Sequence, residues 1–126
     1  MPEKPPMTEA PTIGFTAARA LMAPLTDLVA RAGAAVLAIS RDAMRVEGKA
    51  DGSPVTDADL AADRVIAEGL AAIAPQVPML SEERSHLAGR PYKGSFFIVD
   101  PLDGTREFVA GRDEFTVNIA LVTDGQ

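Results

Sequence analysis

Apolar side chains recur at helical spacing in two segments of the chain. In residues 16–42 they return every three or four positions, which predicts one amphipathic helix. Pro24 falls near the expected start, where a helix tolerates proline best, and Gly33 marks a point of breakage or of close packing. The predicted buried stripe consists of Leu21, Leu25, Leu28, Val29, Ala32, Val36 and Ile39.

A second helix is predicted between Thr56 and Pro75. Thr56 suits the N-cap position, and Asp59, three residues later, completes a capping box. Pro75 ends the segment, because a proline cannot continue the helical hydrogen bonding. The apolar stripe of this helix consists of Leu60, Val65, Ile66, Leu70 and Ile73.

The remaining apolar runs are short and predict strands. PMLSEE (78–83) reads as a short strand that runs into acids, FFIV (96–99) as a buried strand and FTVNIALV (115–122) as another. The polar, glycine-containing segment 45–60 predicts a loop or ragged hairpin before the second helix, and residues 104–109 predict a short helix. This order predicts helices layered against a sheet.

Composition narrows the functions open to the chain. Its 126 residues suffice for one domain, assigned to residues 16–126, after a disordered proline-rich tail at 1–15. The net charge of −6 disfavours a nucleic-acid polymer or an acidic membrane as partner but suits a divalent cation. The absence of cysteine excludes disulfides and thiolate metal sites.

The sequence predicts neither a transmembrane segment nor a signal peptide. The longest nearly apolar run, residues 32–39, is too short to cross a bilayer, and the first residues lack an apolar stretch. A cytoplasmic location is therefore the expectation.

Four acidic residues lie at junctions between predicted elements, where side chains can converge on a cleft. Magnesium prefers such oxygen ligands, together with water and substrate phosphate. Within VDPLDGTREF (99–108), one aspartate ends a strand and could bridge two ions, the carbonyl of Leu102 is available as a ligand, and the next aspartate could hold a second ion. The four acids are Asp57, Glu82, Asp100 and Asp103.

Gly104 and Thr105 open the predicted short helix. Free N–H groups at a helix start suit a phosphate oxygen, and the Thr105 hydroxyl could orient a metal-bound water. Carboxylates, paired cations and a phosphate cradle together suggest hydrolysis of a phosphate ester.

Each acid also has a purely structural interpretation. Asp57 could only complement the helix dipole, and Glu82 with Glu83 could form a solvated acidic pair. Asp100 and Asp103 could form a turn, since aspartate and proline are common turn residues. Spacing alone therefore does not name a substrate.

Three segments together resemble the inositol monophosphatase superfamily: SEE (81–83), VDPLDGTREF (99–108) and EFTVNIAL (114–121). KADGSPVTDAD (49–59) and LSEE (80–83) make the sequence more similar to the 3'(2'),5'-bisphosphate nucleotidases of the CysQ type than to inositol monophosphatases proper. The resemblance implies an α+β fold, the N-terminal part of a layered α-β-α-β-α sandwich. It would have two long helices packed on a mostly antiparallel sheet, and the C-terminal half of the family is missing.

The resemblance also implies an activity and its residues. The expected reaction is removal of the 3'-phosphate of adenosine 3',5'-bisphosphate in sulfur metabolism, with two or three Mg²⁺ ions and inhibition by lithium. Asp57, Thr105 and Glu82 would act in catalysis, Asp57 and Thr105 by activating the attacking water. Gly104, Thr105 and Lys49 would contact the substrate phosphate. The metal ligands would be Glu82, Asp100, the Leu102 carbonyl and Asp103.

Two other functions stay open from the sequence. The substrate could be an inositol or sugar monophosphate, still a small phosphate ester. Alternatively, the chain is a truncated and catalytically incompetent binding or assembly module, whose exposed sheet edge would favour a homodimer.

Overall fold

The computed structural model describes residues 12–48, 52, 54–81, 94–112 and 114–123. The elements in these ranges are α1 (Phe15–Ala38), β1 (Val46–Gly48), β2 (Pro54–Thr56), α2 (Asp57–Ile73), β3 (Met79–Ser81), β4 (Ser95–Asp103), α3 (Thr105–Val109) and β5 (Thr116–Thr123).

Helix α1 is shorter at its C-terminal end than predicted. It ends at Ala38 because Ile39 is extended, with φ −80° and ψ 127°. Pro24 lies inside the helix and not near its start, so the prediction for this residue was wrong. The helix is also unbroken at Gly33, where an added β-carbon would meet nothing within 4 Å.

By length and composition, α1 is the one helix in the described ranges that could cross a membrane. This is weak evidence, because core helices and N-terminal signal sequences share these properties. It nevertheless qualifies the earlier inference, which considered only the shorter run at 32–39. Four of the seven predicted stripe residues of α1 are buried, Leu25, Leu28, Ala32 and Val36. The other three, Leu21, Val29 and Ile39, are partly buried.

Helix α2 begins with the predicted capping box. The Thr56 hydroxyl accepts a hydrogen bond from the Asp59 amide at 3.2 Å, and Asp59 Oδ1 accepts one from the Thr56 amide at 3.3 Å. Leu60 is 48% exposed and does not belong to the core stripe. The buried face instead carries Asp59 and Asp63, four residues apart, which turns Leu60 outward.

The main sheet is mixed. β5 pairs antiparallel with β4, whereas β3 runs parallel to β4 and places Met79 opposite Phe97 and Ser81 opposite Val99. β1 and β2 form a separate antiparallel hairpin, so the hairpin prediction is confirmed. The α+β class is also confirmed, although one of the two strand pairings in the main sheet is parallel.

Helices α1 and α2 cover one face of the main sheet. On β4, Phe97 and Val99 are buried, whereas Ile98 between them is 46% exposed. This alternation separates a helix-covered face from an uncovered face. The largest fully buried apolar side chains in the described ranges include Phe97, Phe108, Leu28 and Ile66.

Hydrogen bonds join the segment before α1 to strands β4 and β5 of the main sheet. Ser95 Oγ accepts a hydrogen bond from the Ile13 amide at 2.8 Å and lies 2.9 Å from Thr123 Oγ1. Thr123 Oγ1 also donates to the Ile13 carbonyl at 3.3 Å. Of the predicted tail, residues 1–11 lie outside the described residues.

An apolar groove of about 570 Å³ lies between α1 and β5, lined among others by Phe15, Met22, Ile119 and Leu121. In the described ranges β5 pairs on one side only, with β4. Self-association into a homodimer stays a prediction.

Candidate functional site

Strand β4 contains an irregularity between its two aspartates. Asp100 pairs with Asn118 and Asp103 with Thr116. The aspartates are three residues apart, whereas their partners on β5 are two apart, so β4 carries one extra residue, as in a β-bulge. Pro101 fits this position because a bulge does not require its missing N–H group.

The extra residue brings both carboxylates to one face of the sheet. In a regular strand, residues three apart point to opposite faces. Here each aspartate shares a face with its partner, and the two partners, Asn118 and Thr116, share one face and are hydrogen-bonded at 3.0 Å. Asp100 is half-buried and Asp103 is exposed, on the face that α1 and α2 leave uncovered.

These donors fit a hard divalent cation in chemical type. Two carboxylates and the intervening Leu102 carbonyl supply only oxygen, which Mg²⁺ prefers. The Leu102 carbonyl oxygen is one of two acceptors within reach of the single Thr105 hydroxyl hydrogen, at 3.0 Å from Oγ1, and it retains a second lone pair. Within the described ranges, however, no three acidic or histidine side chains are gathered closely enough to hold a metal, and the fourth predicted ligand, Glu82, lies outside those ranges.

Gly104 sets the turn from β4 into α3. It is the N-cap residue and has φ +92°, a left-handed conformation that favours glycine. An added β-carbon would lie 2.7 Å from the carbonyl oxygen of Glu114, two residues before β5. The backbone at Glu114 therefore leaves no room for a side chain at position 104. The predicted short helix is confirmed, with Thr105 as its first residue.

The hydroxyl of Thr105 contacts a buried carboxylate. Thr105 is 8% exposed, and its Oγ1 lies 3.1 Å from Asp59 Oδ2, with Asp59 itself only 1% exposed. The other Asp59 oxygen, Oδ1, accepts a hydrogen bond from Thr56 Oγ1 at 2.6 Å. The carboxylate therefore joins the start of α2 to the start of α3.

Asp57, the acid expected beside Thr105, faces a different group. Its Oδ2 accepts a hydrogen bond from the Arg45 amide at 3.0 Å, and its Oδ1 lies 3.6 Å from Arg45 Nε. Residues two apart on a helix point in different directions, and the carboxylate of Asp59 contacts Thr56 and Thr105 instead.

The sequence interpretation did not include Asp59 among the candidate site residues, although the structure places it in contact with Thr105. The predicted capping box was a sufficient reason for an aspartate at position 59, although that box uses only one of the two carboxylate oxygens. The helical offset between Asp57 and Asp59 was the available signal, because only Asp59 lies on the buried face with Ala62 and Ile66.

Gly52, which lies between β1 and β2 in the sequence, contacts α3. Arg106 Nη2 donates a hydrogen bond to the Gly52 carbonyl at 3.3 Å. Lys49, the predicted substrate contact in the same stretch of sequence, lies outside the described residues.

Comparison with known proteins places this arrangement in a family. The model of the inositol monophosphatase family matches residues 18–126. The chain is 51% identical over 84 residues to the 3'(2'),5'-bisphosphate nucleotidase CysQ of Escherichia coli K12, covering 66% of this chain and 34% of that protein. It is 40% identical over 111 residues to the CysQ protein of Buchnera aphidicola, covering 85% of this chain and 42% of that one.

The fold agrees with this comparison. The crystal structure of the extragenic suppressor protein suhB from Bartonella henselae is similar over 85% of this chain and 42% of that chain, with a TM-score of 0.73 and 29% identity. The chain belongs to the inositol monophosphatase family. Its curated relatives include bisphosphate nucleotidases of the CysQ type, as the motifs predicted, and it spans between about a third and two fifths of their length.

Proposed function

We propose that the chain forms the metal-binding portion of a Mg²⁺-dependent phosphatase that removes the 3'-phosphate of adenosine 3',5'-bisphosphate. The observation that carries the proposal is the bulge in β4, which brings Asp100 and Asp103 to one face directly before the Gly104–Thr105 turn. The identity to curated CysQ nucleotidases supports this substrate. A cytoplasmic location and a role in sulfur metabolism follow as family expectations.

Asp100, Asp103 and the Leu102 carbonyl would hold Mg²⁺, and Glu82 would complete the set. Ser81 pairs with Val99, the residue before Asp100, so the strand that leads into Glu82 runs beside the one that leads into Asp100. When bound, Mg²⁺ supplies a more acidic attacking water and stabilises the leaving oxygen. Lys49 as a phosphate contact rests on the family resemblance alone.

Thr105 and Asp59 would orient the attacking water. Thr105 Oγ1 lies 3.1 Å from Asp59 Oδ2 and 3.0 Å from the Leu102 carbonyl oxygen. Its single hydrogen would point to Asp59 during the reaction, and its oxygen lone pairs would accept a hydrogen bond from water. The water proton would then pass toward the buried Asp59 carboxylate, because that is the basic group in contact with Thr105. We assign this role to Asp59 in place of Asp57, whose carboxylate binds Arg45.

The activity is testable in two forms of the protein. The chain is assayed alone and as a chimera completed with the C-terminal part of the E. coli CysQ protein, with adenosine 3',5'-bisphosphate and inositol 1-phosphate as substrates. We expect the chimera to release phosphate from the nucleotide in Mg²⁺, and to stop when EDTA removes the metal or lithium is added. A preference for inositol phosphate, or turnover without a divalent metal, would contradict the proposal.

Paired substitutions separate Asp59 from Asp57. In the chimera, Asp59→Asn should lower kcat by about 10²–10⁴-fold, the usual contribution of a general base, because the proton acceptor is lost. Asp57→Asn, the same chemical change two residues away, should leave kcat within about tenfold. Thr105→Ser should retain activity and Thr105→Val should not. Equal losses in the two aspartate variants would refute the assignment.

A further inference from the structure

A second buried carboxylate of α2 contacts the end of β3. Asp63 is 7% exposed and Ser81 is 6% exposed. Ser81 Oγ donates a hydrogen bond to Asp63 Oδ1 at 3.0 Å, across 18 residues of sequence. The contact therefore joins the core face of the helix to the last residue of the strand.

Asp63 occupies a position where an apolar residue would be expected. The same face of α2 carries Ala62 and Ile66, both fully buried. A carboxylate at such a position is costly to bury unless it is hydrogen-bonded, and a bond to a charged acceptor is stronger and more directional than a neutral one. The hydrogen bond to Asp63 therefore holds Ser81 in position relative to α2.

This contact lies beside the carboxylate site. Ser81 pairs with Val99, and the next residue of β4 is Asp100. β3 contains only three residues, so few backbone hydrogen bonds hold it in register with β4. A side-chain hydrogen bond at its end therefore contributes a larger share of what holds the strand in place. The hydrogen bond from Ser81 to Asp63 therefore holds β3 to α2 at the strand end that lies beside Val99 and Asp100.

We propose that Asp63 is a positioning residue for the divalent-cation site. Through Ser81 it holds the end of β3 against Val99 of β4, so that Asp100, the next residue, keeps its position relative to Asp103. Hydrogen-bond partners that orient metal-binding groups typically affect metal affinity by about 10–100-fold. The inference rests on the proposed function, because it presupposes that the site binds Mg²⁺.

A matched control exists on the neighbouring strand. Ser95 is fully buried, and its hydroxyl bonds the Ile13 amide and Thr123, but it lies at the opposite end of β4 from Asp100. Ser81→Ala and Ser95→Ala therefore remove the same group from similar surroundings. A purely structural role for the Asp63–Ser81 contact predicts equal consequences for Mg²⁺ affinity in the two variants.

The experiment measures Mg²⁺ binding by titration calorimetry and thermal unfolding on the same samples of the chain. Ser81→Ala should weaken Mg²⁺ binding by about 10-fold or more, whereas Ser95→Ala should change it by less than about twofold, although both lower the Tm. Asp63→Asn, which keeps an oxygen acceptor for Ser81, should retain most of the affinity, and Asp63→Ala should resemble Ser81→Ala.

The measurements distinguish a failure of the positioning role from a failure of the proposed function. Equal Mg²⁺ affinities in Ser81→Ala and Ser95→Ala would overturn the positioning role while leaving the proposed function in place. An absence of Mg²⁺ uptake by the unsubstituted chain would overturn both. If Asp63→Ala does not fold, the two serine variants decide the question without it.

Discussion

Replacing Asp100 by asparagine should abolish Mg²⁺ uptake by the chain and phosphate release by the chimera. The substitution removes one of two carboxylates that the bulge holds on the same face, and a neutral amide cannot balance the cation charge. We expect the affinity to fall by more than about 100-fold, beyond the usual effect of residues that only orient a ligand. Titration calorimetry and a phosphate-release assay measure the two losses.

The same site should couple metal binding to folding. At a Mg²⁺ concentration of 100 times Kd, binding to the folded state stabilises it by about 2.7 kcal/mol, and this gain should be absent in Asp100→Asn. Asp27→Asn is the control, because Asp27 is exposed on α1 and pairs only with Arg31 among the ion pairs of the described ranges. Mg²⁺ stabilisation that persists in Asp100→Asn would place the cation elsewhere.

Replacing Gly104 by alanine should destabilise the fold by about 2–4 kcal/mol. The left-handed backbone accounts for about 1–2 kcal/mol, and the approach of the new β-carbon to the Glu114 carbonyl oxygen, 2.7 Å away, accounts for the remainder. That oxygen belongs to the backbone, so it cannot rotate away as a flexible side chain would. Urea unfolding followed by circular dichroism measures the change.

Gly111 provides the comparison for Gly104. Its φ is +85°, close to that of Gly104, but an added β-carbon would meet nothing within 4 Å. Gly111→Ala should therefore cost only the backbone contribution, about 1–2 kcal/mol. Similar losses at the two glycines would show that the close approach of the β5 segment to Gly104 has no energetic consequence.

Local signals in the sequence predicted most of the fold. Helical periodicity identified both long helices, and Thr56 with Asp59 predicted the start of α2, because a capping box depends only on residues close in sequence. The short helix after Gly104 and the strands on either side of it were also predicted. Pro24 was misplaced because the helix continues through it when packing against α2 and β5 compensates for the lost hydrogen bond.

The arrangement of the candidate site depended on long-range pairing, which the sequence alone did not reveal. The Asp100–Asp103 segment predicted carboxylates at a strand end, but the extra residue becomes evident only when β4 is aligned with β5. The contact of Asp59 with Thr105 spans 46 residues, and that of Ser81 with Asp63 spans 18. Such contacts follow from how the helices lie on the sheet, and no local pattern encodes them.

The extra residue in β4 also sets limits on how this segment can vary. Many side chains around Pro101 could be exchanged without moving Asp103 to the other face, since the pairing of β4 with β5, and not the chemistry of the intervening residues, decides the direction in which it points. Loss of one residue there would remove the bulge, and Asp103, then two residues from Asp100 in a regular strand, would keep its face. Regular pairing of the unshortened segment would instead turn Asp103 toward the helices, so a change that straightens this strand without shortening it should separate the two carboxylates.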